Sequence, residues 1–137
     1  MKKSFLLLIT VTLVFLSGCS LLEETTHSLN YANEASDYIN TLSNFAEETS
    51  SLEGQATLLS HLESFKGTIE DFTTIDPPTI ATGIHQELEN KSQVLLDTTN
   101  NIIDSGETAV EQLKQSDLYQ TIENITDLKN QIEALDQ

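Results

Sequence analysis

Three histidines, one cysteine and 22 carboxylates are the side chains of this 137-residue chain best equipped for chemistry. Their spacing argues against most of it. A zinc site wants ligands one helical turn apart, as in His-Glu-x-x-His, or gathered in a short cluster. His27, His61 and His85 form no such pair, so no metal site is expected. Paired acids are plentiful, at Glu23-Glu24, Glu47-Glu48 and Glu70-Asp71. Glycoside hydrolysis needs two carboxyl groups facing each other across a cleft. Neighbours on one helix diverge by about 100° and merely hydrate a surface. The oxygen-rich stretch from Asp97 to Asp104 lacks the central glycine and terminal glutamate of an EF-hand loop. No Gly-x-Ser-x-Gly elbow and no Gly-rich phosphate loop occurs. No cofactor is implied, and the expectation is a protein that is not an enzyme.

The cysteine is different. Cys19 closes the run Leu16-Ser17-Gly18-Cys19, which comes after the basic start Met1-Lys2-Lys3 and an apolar stretch at residues 5–15 (FLLLITVTLVF). That stretch is shorter than the roughly 20 apolar residues of a spanning helix and has the layout of a secretion signal. Ser17 and Gly18 are small enough to lie extended in a peptidase groove, and the Cys19 thiol can take a diacylglycerol as a thioether. The pattern predicts a lipoprotein signal peptide at residues 1–18, with Leu16, Ser17 and Gly18 read by the signal peptidase. The mature chain would be 19–137, attached through Cys19 to the outer face of a cell membrane. A second acyl chain, such as palmitate, on the freed amine would make attachment lasting, since one chain at about 0.8 kcal/mol per CH2 holds only marginally.

Charge narrows the partners. Removing residues 1–18 takes two of the six cations and none of the acids, so the formal charge moves from −16 to −18. There is no arginine. Nucleic-acid binding requires a cationic footprint and is excluded. An anionic bilayer would repel this domain, so lipid must hold it there. With Cys19 acylated, no thiol remains for a disulfide or a nucleophile.

The elements that would carry these residues read as helices. Tyr31, Ala35, Tyr38, Leu42, Phe45 and Thr49 recur at steps of four and three, predicting a first helix over 22–49. It starts almost at Cys19, without a linker. Ser50 with Glu53 reads as a capping box opening a second helix, whose stripe is Leu52, Leu59, Leu62, Phe65 or Lys66, Ile69 and Phe72. Asp76-Pro77-Pro78 must end that helix, and Asp76 reads as the N-cap of a third, with Pro77 in its first turn. The third stripe is Ile80, Ile84, Leu88, Lys91, Leu95 and Ile102, ending where Gly106 can take a left-handed cap. The last segment divides into a short helix around Ala109, Val110 and Leu113 and a longer one from Ser116 or Asp117 through Leu118, Ile122, Ile125, Leu128, Ile132 and Leu135. Short connections make neighbours antiparallel. The fold expected is all-α: an up-down antiparallel bundle of about four helices, the fourth split, preceded by a signal helix. Tyr31, Tyr38, Phe45, Phe65 and Phe72 are expected in its core, with Tyr119 beside the last stripe.

Several short runs resemble a family of small lipoproteins of bacilli that has no assigned activity. They are Cys19-Ser20-Leu21-Leu22, Leu29-Asn30-Tyr31-Ala32-Asn33-Glu34-Ala35 with Asp37-Tyr38-Ile39, Asp76-Pro77-Pro78 with Ile84-His85 beyond it, and Leu118-Tyr119-Gln120-Thr121-Ile122. The resemblance implies a Gram-positive envelope and a helical fold, and carries over no functional residue. It draws attention to His85 as a candidate polar site, against the plainer expectation of a histidine on a helix surface. The function expected is a membrane-anchored binding protein whose partner is another envelope protein. The alternative is a small-ligand or cation-binding lipoprotein.

Overall fold

Apolar stripes at alternating steps of three and four leave each helix of this chain with one face to bury, and four such faces close on one another. A computed structural model describes the backbone of residues 2–51, 54–106 and 109–136, and the side chains of 23–51, 54–106 and 109–135. The helices are α1 (Lys2–Ser50), α2 (Gln55–Phe72), α3 (Thr82–Asp104), α4 (Ala109–Gln115), α5 (Leu118–Thr126) and α6 (Lys129–Glu133). Short 3-10 turns at Thr79–Ala81 and Ala134–Asp136 complete them, and no strand occurs among the described residues. The fold is all-α. Leu16, Ser17, Gly18 and Cys19, the predicted attachment segment, lie outside the described side chains.

Packing gives the topology. α1 packs against α2, α5 and α6, and α3 packs against α2 and α5. The chain therefore runs up α1, down α2, up α3 and down a fourth column built from α4, α5 and α6. α1 and α3 stand diagonally across the bundle and run parallel. The fourth column breaks at Ser116-Asp117, as the sequence predicts, and again at Asp127-Leu128. The breaks let α4 lean on α2 and α3 while α5 and α6 close on α1.

The predicted core aromatics are all buried: Tyr31, Tyr38, Phe45, Phe65 and Phe72. They interlock with Ile39, Leu42, Leu58, Leu62, Ile69, Leu88 and Leu95. Burying one such side chain contributes about 1.5–3 kcal/mol, so the four-sided core supplies the stability that a chain without disulfides needs. Gly106 has φ of +52° and ends α3 in the left-handed conformation expected of it. Its carbonyl accepts a hydrogen bond from Gln55 Nε2, tying the α3–α4 corner to the start of α2.

Several sequence expectations are corrected. Ser50 is the last residue of α1, its hydroxyl donating to the Glu47 carbonyl. α2 instead starts after Gly54, which provides no side-chain cap; Glu53 and Leu52 lie outside the described residues. Leu58 is buried in place of Leu59, which is half-buried. Asp76 does not cap α3. Pro78 restricts the residue before it to extended backbone, and Pro78 itself is extended at ψ 158°, so neither proline can begin a helix here. The chain passes through a 3-10 turn before α3 starts at Thr82. Ile80 is 58% exposed, and the buried face of α3 is rotated to His85, Leu88, Ser92, Leu95, Thr99 and Ile102.

Candidate functional site

Each histidine is placed at a contact between α1 and the α2–α3 hairpin. His27, on α1, faces the hairpin's connection, with Nε2 3.1 Å from the Asp76 carbonyl oxygen. His61, on α2, has Nδ1 3.7 Å from Glu48 Oε2 on α1. His85, on α3, has Nδ1 3.2 Å from Tyr31 Oη on α1. The antiparallel descent of α2 explains the His61–Glu48 pairing at the far end of α1. The parallel run of α3 brings His85 back beside Tyr31. The three histidines are thus spread along the bundle, not gathered. Among the described residues no group of three or more His, Cys, Asp or Glu side chains is assembled closely enough to hold a metal ion.

His85 corrects the expectation of a surface histidine. It is 6% exposed. The Tyr31 ring meets it edge-on at 5.6 Å and Phe72 lies tilted at 5.5 Å. One heptad along both helices, Tyr38 Oη and Ser92 Oγ are 2.6 Å apart. A further heptad along α3, Thr99 is fully buried with Oγ1 unpartnered. Polar atoms of α3 therefore enter the core at 85, 92 and 99, and α1 meets the first two with tyrosine hydroxyls. Burial pushes the Tyr31 hydroxyl up to about 12. Burial likewise pushes Tyr38 up to about 12, against a smaller lowering by its hydrogen bond with Ser92. The third sequence-based stripe misses Ser92 and Thr99 because it follows the apolar residues and takes Lys91, the neighbour of Ser92, into the stripe instead. The signal available is their repetition at the seven-residue interval that also separates Tyr31 from Tyr38.

One surface recess among the described residues is the groove between α1 and α2. Two ring stacks floor it: Tyr38 on Phe72 at 4.0 Å and Phe45 on Phe65 at 3.8 Å. Over the Phe45–Phe65 stack lies a recess of about 430 Å³, edged by Asn44, Glu48, Ser60, His61 and Ser64. Over the Tyr38–Phe72 stack lies one of about 440 Å³, edged by Glu34, Asp37, Asp71 and Ile75. Thr41 and Thr68 line both, so the two adjoin along the groove. Many hydroxyls here are satisfied by their own helix: Thr41 donates to the Asp37 carbonyl, Ser64 to Ser60 and Thr68 to Ser64. Ser64 therefore does not present a hydroxyl hydrogen-bonded to His61, the arrangement a nucleophile would need. Tyr119, expected beside the last stripe, donates to Thr49 Oγ1 at 3.3 Å and fastens α5 to the end of α1.

Residues 31–135 match a family of unknown function, DUF6376. The chain is 32% identical over 146 residues to a protein of Bacillus subtilis (strain 168) named "Uncharacterized lipoprotein YybP", an alignment covering 98% of this chain and 99% of that protein. No solved structure matches the chain.

Proposed function

Because the chain belongs to the DUF6376 family, and its similarity to a protein named a lipoprotein spans nearly the full length, we propose that it is a lipid-anchored protein of the bacterial cell envelope that works by binding another envelope protein. Leu16-Ser17-Gly18-Cys19 supplies the attachment and Cys19 carries the lipid. The acidic helical bundle supplies the binding surface on the extracytoplasmic side. No chemistry is assigned to the bundle.

One observation carries the reading. The histidines, the side chains best suited to acid–base work near neutral pH, are spread along contacts between α1 and the α2–α3 hairpin and are not gathered in one pocket, while the groove between α1 and α2 is open to a partner. Crosslinking of the membrane-bound protein in cells, with identification by mass spectrometry, tests it. A reproducible envelope partner is expected, and recovery of none would sink the reading. The recess beside His61 and Glu48 favours a second reading, a small polar ligand or cation. Equilibrium dialysis against calcium and neutral disaccharides checks it, with retention lost in Glu48→Gln.

A further inference from the structure

The groove between α1 and α2 has a defined length, floor and charge. Glu34 to Glu48 along α1 is 14 residues, about 21 Å of helix or four turns. The two ring stacks beneath it are seven residues apart on both helices, Tyr38 and Phe45 on α1 against Phe72 and Phe65 on α2, a spacing of about 10 Å, and only their edges reach the groove, since all four residues are buried. Leaving aside His61, every ionisable side chain on its edges is an acid: Glu34, Asp37, Glu48 and Asp71. Lys66, Lys91, Lys114 and Lys129 all lie off the lining.

We propose that this groove docks a basic amphipathic helix of an envelope protein. This rests on the reading of the chain as an interaction protein and names the kind of partner. Apolar residues at i and i+7 of the docking helix would lie over the two ring stacks, the pattern of a helix laid in a groove between helices. Its lysines and arginines would face Glu34, Asp37 and Asp71 at one end and Glu48 at the other. Charge selects this occupant. An anionic lipid surface is repelled by four acids. A second copy of this chain would bring more acids against them, and like charges across an interface oppose docking.

The test uses the lipidated protein in intact cells, with a photo-crosslinking residue placed either at Ser64 in the groove or at Val94, an exposed position on α3. Capture from Ser64 and not Val94 is expected, with the crosslinked peptide a Lys/Arg-rich amphipathic segment. Asp37→Asn with Asp71→Asn should cut capture about fivefold, the effect of losing rim charge attraction, while Glu89→Gln on α3 leaves it unchanged. Capture of an acidic or uncharged segment, or capture indifferent to Asp37 and Asp71, would overturn the proposal. A partner taken from Val94 alone would overturn the groove while leaving the interaction reading standing. Failure to capture any partner from either position would overturn both.

Discussion

The hydroxyls of Tyr38 and Ser92 meet at 2.6 Å across the diagonal of the bundle, one heptad beyond the 3.2 Å contact of Tyr31 with His85. Both pairs join α1 to α3, helices that run parallel on opposite corners. These bonds fix the register of the diagonal, which apolar packing alone specifies loosely. Tyr38→Phe leaves the Ser92 hydroxyl buried without its partner and is expected to cost about 1–3 kcal/mol. Adding Ser92→Ala should recover part of that loss. A double-mutant cycle by urea denaturation of the detergent-solubilised protein measures the coupling, expected at about 1 kcal/mol. Strict additivity would mean the two hydroxyls do not interact.

Thr99 sits at the third polar position of α3, fully buried with no partner for Oγ1. Thr99→Val keeps the shape and removes the uncompensated hydroxyl. The variant should be more stable by about 1 kcal/mol in the same denaturation experiment. A loss of that size would show that the hydroxyl is satisfied.

The two buried tyrosines predict an alkaline transition. Tyr31 and Tyr38 are held up to about 12 in the folded chain against an ordinary value of 10.0. Between those values the unfolded chain gives up protons that the folded chain keeps, so stability falls as pH rises. Their contribution is complete below about pH 10 and is lost by about pH 12. Thermal melts from pH 8 to 12 should show the decline, and Tyr38→Phe should make it shallower. An equally steep decline in that variant would remove Tyr38 from the account.

Gly106 ends α3 at φ +52°, with nothing near enough to obstruct a Cβ. The cost of Gly106→Ala is therefore the backbone conformation alone, about 1–2 kcal/mol. The melting temperature should drop while the helical circular dichroism of the folded state stays the same.

Cys19→Ala should move the protein from the membrane fraction to the soluble fraction, or leave an unprocessed precursor. Identical fractionation and gel mobility to the unaltered chain would mean that Cys19 is not the point of attachment.

The sequence by itself determined the features that local chemistry dictates. The expectation of an attachment segment before Cys19 rests on a basic start, a short apolar run and a small-residue motif that are contiguous. The helices are legible because their apolar residues recur every three or four positions, and the end of α3 because a glycine is needed for a left-handed turn. The net charge of −16 argues against a nucleic-acid partner with no structure at all. Tertiary structure decided which way each helix faces. Leu58 and Leu59, or Ile84 and His85, differ by about 100° around a helix axis, and both members of each pair fit a broad stripe. Only the neighbours choose between them. On sequence grounds His85, Ser92 and Thr99 belong on an outward face, because burying a polar atom is costly. Tyr31 and Tyr38 offset that cost for the first two, and those tyrosines are 54 residues away in the chain. The acid-edged groove was hidden for the same reason: Glu48 and His61, or Asp37 and Asp71, become neighbours only when α1 and α2 fold against each other.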